Sequence, residues 1–215
     1  MTRTIALNLL IATGNAGKLA EIRAVLGALP INFRTLTDFP EIAPVEESGR
    51  TYEENAILKA RAYAQQTGLW ALADDSGFEV AGLDGAPGII SARYAGAGIS
   101  DSDRIAFLLQ RLERVNRNQR SARFVCVAAL ADPTGSIAGV THGICEGLII
   151  DQPRGGGGFG YDPIFIPQGF DKTFAELPAD IKNVISHRAR ALLSMHAFLE
   201  RLVHNEQAQR TRLVG

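Results

Sequence analysis

Among 215 residues the chain has two cysteines, two methionines and one tryptophan. Cys126 and Cys145 lie far apart in apolar, strand-like surroundings. They lack the paired spacing of a redox or zinc motif, so they read as small core residues of a reduced, intracellular protein. Neither sign of charge is in excess: 22 Lys and Arg stand against 23 Asp and Glu, a formal net charge of -1. No global field therefore draws in nucleic acid or an anionic membrane, and any polyanion site must be local. Long hydrophobic runs are missing too. The stretch from Ile5 to Ala12 falls well short of the ~20 residues that cross a bilayer, and Asn8 interrupts it. The first residues lack a signal-peptide layout, and the expected location is cytoplasmic. Internal repeats and low-complexity linkers are also absent. What remains is an ordinary soluble composition, 46% hydrophobic and 21% charged. That suits one domain with two lobes over residues 1–204, followed by a polar, disordered tail at 205–215.

Two nucleotide fingerprints are absent as well. A buried strand over residues 4–13 runs into Thr13-Gly14-Asn15-Ala16-Gly17-Lys18 and then a helix with Leu19, Ile22, Val25, Leu26 and Leu29 near helical spacing. The turn is too short for a Walker loop, Leu19 stands where Ser or Thr would be needed, and there is no GxGxxG. A glycine-bearing turn at a helix start is nonetheless an anion site in its own right. Backbone N–H groups and the dipole favour negative charge, and Lys18 adds a full positive one.

A second polar concentration follows the apolar run Leu69-Trp70-Ala71-Leu72-Ala73, which ends in Asp74-Asp75-Ser76-Gly77. Two carboxylates ~4 Å apart repel by roughly 4 kcal/mol at an effective dielectric of about 20. A proton, a cation or opposite-facing side chains must relieve that repulsion. Successive strand residues face opposite ways, so the two acids are expected to have different partners unless the chain turns there. Upstream lies an acidic, proline-bearing loop with Glu46, Glu47, Ser48 and Gly49, then a helix from about Thr51 to Gln66. Asn55 and Lys59, four apart, share one face of it.

Further on, Arg111, Arg114, Arg117, Arg120 and Arg123 recur every three residues. Glu113, Asn116 and Asn118 interrupt them and no aromatics are interleaved, so they read as a solvated turn and not as a nucleic-acid stripe. Strands over Arg123–Ala131 and Ile137–Ile150 are joined by Asp132-Pro133-Thr134-Gly135, which has hairpin chemistry. Then come four glycines, Phe159-Gly160-Tyr161-Asp162-Pro163 and an apolar strand, Ile164-Phe165-Ile166. Glycines permit close backbone approach, and Phe159 or Tyr161 could stack on a planar ring. Last, Lys182 to Arg188 opens a helix with Ser186 as its cap. His187 and Arg188 oppose the macrodipole there, which suggests an anionic or acceptor-rich ligand.

Taken together, these segments resemble the Ham1/RdgB family of inosine triphosphate pyrophosphatases. The stretches that carry the likeness are 12–18, 46–49 with 54–61, 73–77, 86–88 with 91–94, 157–163 and 186–188, in family order over nearly the whole chain. Departures are small: Ile90 where tyrosine is frequent, Ser48 where threonine is common, and the extended tail. The resemblance implies an α/β fold, a mixed, twisted and elongated sheet with helices on both faces and two lobes around a deep cleft. It also implies a homodimer, without nucleic-acid or membrane partners. The implied reaction splits non-canonical purine triphosphates (ITP, dITP, XTP) into monophosphate and pyrophosphate. On this chain Asp75 would be the general base and a magnesium ligand, with Glu47 as the second ligand (Glu46 the fallback) and Asp74 auxiliary. The triphosphate would lie on Thr13, Gly14, Asn15, Ala16, Gly17 and Lys18, near Lys59 and Ser76. Phe159, Gly160, Tyr161, Asp162, Lys182, His187 and Arg188 would hold the base. Arg188 and backbone N–H groups near Tyr161 and Asp162 would suit a C6 carbonyl and oppose the adenine amino group.

Two other readings stay open at this level. A Maf-like nucleotide pyrophosphatase would keep the chemistry and change the base, and Ser186-His187-Arg188 argues against it. A non-catalytic nucleotide sensor would not need to keep Asp75 and Glu47.

Overall fold

Short apolar strands and alanine-rich faces build the first part of the chain. The computed structural model describes residues 7–116 and 119–214, with the backbone alone at 207 and 209–214. Residues 4–6 of the expected first strand, Arg117 and Asn118 of the arginine series, and the terminal residue 215 lie outside the described residues.

Strand β1 (Leu7–Ile11) leads into α1 (Ala16–Leu26), β2 (Ile31–Thr35), α2 (Tyr52–Thr67) and β3 (Trp70–Val80). After β4 (Pro87–Gly88) and α3 (Asp101–Leu112) come β5 (Ser121–Ala131), β6 (Ile137–Ile149), β7 (Phe165–Pro167), α4 (Ala179–Ile185) and α5 (His187–Val214). The fold is α/β, with one mixed sheet in the order β2-β1-β3-β5-β6-β7 and β4 paired to β3. β1 runs parallel to β2 and β3, whereas β3–β4 and β6–β7 are antiparallel. Contacts divide the chain into two compact units. The first takes in residues 1–75, 127–142 and 191–215, and the second 76–126 and 143–190.

The first unit's core is made of small side chains. Ala56, Ala60 and Ala64 of α2 meet Ala71, Ala73, Ala129 and Ala131 of the strands, along with Leu10 and Tyr63. Alanine contributes little buried area per residue, but it lets the helix lie close to the sheet. Polar side chains on α2 thus come within reach of β3. The second unit's core is aromatic. Phe78, Phe124, Phe165, Phe174 and Tyr161 form tilted, edge-on and stacked pairs with centroids 4.6–5.9 Å apart. Such pairs add about 0.5–1.5 kcal/mol each beyond burial.

Several boundaries differ from the sequence reading. β3 does not end at Asp74; it continues through Asp74, Asp75, Ser76 and Gly77 to Val80. The apolar stretch after Pro163 begins with a short 3-10 turn, and its strand covers Phe165–Pro167 only. Lys182 and Arg188 sit on two helices, with Ser186 in extended conformation between them. α5 continues past His204, so the segment set apart as a disordered tail is helical backbone as far as Val214. The hairpin turn agrees with its chemistry: Asp132 Oδ1 accepts from Thr134 N (2.8 Å) and Ser136 N (3.0 Å).

Candidate active site

In the first unit, charged side chains from four segments meet around the middle of β3. Lys18 comes from the first turn of α1, Glu47 from the loop before α2, Asn55 and Lys59 from one face of α2, and Asp74 and Asp75 from β3. Lys18 Nζ lies 3.0 Å from Asp74 Oδ2. Lys59 Nζ donates to Glu47 Oε1 and, at 2.6 Å, to the Asp74 carbonyl; Asp75 Oδ1 is 3.9 Å away. Asn55 Nδ2 donates to Asp75 Oδ2 at 3.0 Å. Lys18 thus pairs with the Asp74 carboxylate and the α2 face with that of Asp75, although Lys59 faces both acids and Lys18 also acts on Asp75.

The cluster is dry. Asn55, Lys59, Asp74 and Asp75 are all below a tenth exposed, so Lys59 is not the solvated lysine that its position on a helix would suggest by default. Burial is the largest influence on Asp75 and pushes its carboxyl above the ordinary range. Lys59, the Asn55 hydrogen bond and Lys18 oppose that push, and the Glu47 carboxylate adds to it. For Lys59, burial works to lower the pKa, but Asp74, Asp75 and Glu47 outweigh it and hold the ammonium above its usual value. Two ammonium groups face three carboxylates, a formal excess of one negative charge. Glu47 and Asp75 address one cation, Lys59, and are the oxygen donors that could also take a hard metal ion. Glu46 is exposed, whereas Glu47 is half-buried against Lys59.

The turn before α1 leaves its backbone accessible. Asn15 caps the helix by accepting from Lys18 N at 3.0 Å, and Thr13 Oγ1 accepts from Asn15 N at 3.2 Å. Gly14, Asn15 and Ala16 are exposed. A side chain at Gly14 would meet nothing within 4 Å, so this glycine keeps a surface open and is not demanded by the turn.

In the second unit, the glycine-rich loop is a built structure and not a slack linker. Asp162, 2% exposed, accepts from Phe159 N at 2.9 Å and from Lys182 Nζ. Gly160 N donates to Asp101 Oδ2 at 2.6 Å. Lys182 Nζ sits 4.9 Å from the centroid of the half-buried Phe159 ring, and Arg188 Cζ 5.7 Å from it. Arg188, 1% exposed, also donates from Nη2 to Ser76 Oγ at 2.9 Å. His187 stacks on Phe124, with centroids 4.7 Å apart.

Some expected roles do not fit this geometry. Tyr161 is no candidate for stacking on a ligand: it is 3% exposed, stacks on Phe78 and donates its hydroxyl to Ser91 O at 3.0 Å. The N–H groups of Phe159, Gly160 and Asp162 already bond within the loop and to Asp101, so donors for a carbonyl ligand centre on Arg188. Sequence reasoning misses two further residues of these arrangements, Asn55 and Asp101. Asn55 had a signal in its four-residue spacing from Lys59; Asp101 had none, since it lies 59 residues from Gly160. A groove of about 700 Å³ in this unit is lined by Glu79, Arg123, Leu148 and Phe170 among others, and by none of the residues above.

The chain's relatives agree with the motifs. A model of the Ham1 family matches residues 9–198. A protein of Geobacter sulfurreducens named dITP/XTP pyrophosphatase is 51% identical over 187 residues, which cover 86% of this chain and 92% of that protein. A solved HAM1 protein from Coxiella burnetii superposes with a TM-score of 0.82 at 45% identity, covering 91% of this chain and 99% of the other. The Ham1 protein of Staphylococcus aureus gives 0.79 at 41% identity, covering 90% and 98%. By sequence and by fold, the chain belongs to the Ham1 family.

Proposed function

We propose that the protein hydrolyses non-canonical purine nucleoside triphosphates, dITP, ITP and XTP, to the monophosphate and pyrophosphate. The observation that carries this reading is the cluster in which the buried Asp75 faces the buried Lys59 and Asn55, with Glu47 and Lys18 close by. A relative named dITP/XTP pyrophosphatase at 51% identity supports the choice of substrate.

In this reading Asp75 takes the proton from the attacking water. A carboxylate base works best when its pKa rises towards the working pH, and burial supplies that direction. Thr13 to Lys18 receive the phosphates at the start of α1, and Lys18 and Lys59 balance charge that develops on the leaving pyrophosphate. Among the described residues no three His, Cys, Asp or Glu side chains form a cage for a metal. Magnesium does not need one, since it takes one or two carboxylates and leaves its remaining positions to water and phosphate. Glu47 and Asp75 meet that requirement, with Asp74 auxiliary. Bound there, the ion would supply electrostatic stabilisation of phosphoryl oxygens.

For the base, Phe159 offers a ring face and Arg188 offers donors to the C6 carbonyl. Adenine would set an amino donor against those donors, and an unsatisfied buried pair costs about 1–3 kcal/mol. Lys182, held by Asp162, and His187, held by Phe124, keep the surroundings of Arg188 fixed. Ser76 orients Arg188 and, with Gly160 and Tyr161, shapes the loop and strand that surround it. The same reading makes the protein a cytoplasmic homodimer. No helix of the described residues is long and apolar enough to cross a membrane.

The deciding experiment offers a panel of triphosphates with magnesium and detects pyrophosphate and orthophosphate separately. dITP should yield pyrophosphate at least tenfold faster than ATP does. Orthophosphate as the sole inorganic product would overturn the mechanism, and equal turnover of ATP would overturn the account of the base.

A further inference from the structure

Asn55 stands between two parts of the first unit. Its Nδ2 donates to Asp75 Oδ2 at 3.0 Å, and its Oδ1 accepts from Gly49 N at 2.8 Å. The side chain is 1% exposed, and these two bonds fix which way its amide points. An N–H can only donate to the amide oxygen, and an ionised carboxylate can only accept from the amide nitrogen. Gly49 is pressed against this clip. A Cβ there would lie 2.6 Å from Asn55 Oδ1 and 2.7 Å from Glu54 Cβ, so the backbone of the acidic loop closes on Asn55 as only glycine allows. Two residues earlier in that loop is Glu47.

We infer that Asn55 is a positioning residue for hydrolysis, which sets the rotation of the Asp75 carboxylate and pins the Glu47 loop to the same point. This rests on the reading of Asp75 as the base. The outer torsion of an aspartate is soft, with no sharp staggered wells, so neighbours must choose its angle. Lys59 cannot do so alone: at 3.9 Å from Oδ1 it supplies charge without a tight hydrogen bond. The amide of Asn55 supplies the direction. It bonds Oδ2, while Oδ1 lies 3.9 Å from Lys59 Nζ.

Pyrophosphate release from dITP by purified Asn55 variants tests this. Misplacing a reacting group by ~1 Å costs about 10²-fold, so Asn55→Ala should lower kcat about 10–100-fold while KM stays within about threefold. If the residue were only a clip for the Glu47 loop, Asn55→Ala would raise the magnesium requirement but keep kcat within about twofold of the parent at saturating magnesium, and the inference would fail. The decisive comparison is made in the Asp75→Asn background. A group that acts through Asp75 costs little more once Asp75 is gone, whereas independent losses multiply. Multiplying losses would overturn the inference even if Asn55→Ala folds poorly, because the neutral Asn55→Ser can complete the cycle. Full activity of Asp75→Asn alone would instead refute the reading of the base, whatever Asn55 does.

Discussion

Asp75 holds its carboxylate at a cost to the fold, and the sign of that cost can be worked out. Its pKa is raised, chiefly by burial, so the native protein binds this proton more tightly than the unfolded chain does. The stabilising contribution is complete below the unfolded value near 3.8 and is lost as pH rises through the folded value. Above the folded value the ionised side chain is a net liability. Asp75→Asn keeps the size of the group and an oxygen, and it removes the charge. It should abolish turnover, by about 10²-fold or more, yet raise the melting temperature of metal-free protein at pH 7.5. In a chain of this length each kcal/mol gained appears as about 2–4 °C, and the difference from the parent should shrink as the pH approaches 4. Melting curves in EDTA at several pH values check this. A variant that is inactive and also less stable at pH 7.5 would show that the carboxylate is needed by the fold and not only by the chemistry. Sequence points to Asp75 but leaves open whether it lies in the strand or in a turn at its end. Adjacent acids with Ser and Gly look like turn formers, and what lets them stay in a buried strand, Lys18, Lys59 and Asn55, comes from distant positions.

At the scale of elements, patterns that depend on local spacing were legible and those that depend on long-range partners were not. The α2 face is local: four residues carry Asn55 to Lys59, and both reach Asp75. The helix break at Ser186 could not be seen, because Ser186 suits the end of α4 as well as the start of α5, where its Oγ accepts from Ala189 N at 3.2 Å. Likewise the glycine run promised a ligand loop without showing which glycines matter. Gly155 and Gly158 do: at Gly155 (φ +84) a Cβ would run into the Ala175 backbone, and at Gly158 (φ +70) into Asp162 Oδ2. Gly160 also has positive φ, +61, but faces open space. Gly158→Ala should therefore cost about 1–3 kcal/mol and push Asp162 off Phe159 N and Lys182. We expect a melting temperature lower by several degrees and a KM for dITP at least tenfold higher. Gly160→Asn, a residue that tolerates this conformation, should melt close to the parent. Equal losses at the two positions would mean that backbone conformation alone, and not the contact with Asp162, governs the loop.

For the whole molecule, the motifs announced the α/β class and the family, whereas the two separate cores were hidden. Alanines of the first core look unremarkable one by one, and the aromatics of the second are scattered from Phe78 to Phe174. Both cysteines belong to the second unit, and both are buried, at 0% for Cys126 and 2% for Cys145. Burial pushes the Cys145 thiol up to about 11; the Arg190 charge opposes this and Glu146 adds to it. At pH 8 roughly one Cys145 in a thousand would be thiolate even if a reagent could reach it. A disulfide-exchange reagent should therefore find no rapidly reacting thiol in the native protein and two in denaturant. Native labelling then reports how often the second unit opens. If that unit takes the base of the substrate, a nucleotide bound only to the closed form must suppress opening by mass action. At a concentration of 100 times its Kd the labelling rate should fall about 100-fold, provided reclosing outpaces labelling. Inosine monophosphate, which keeps the base and cannot be hydrolysed to pyrophosphate, serves as the probe. Labelling that is unchanged at saturating probe would mean that the base is held elsewhere, and fast native labelling would mean that the aromatic core is not closed.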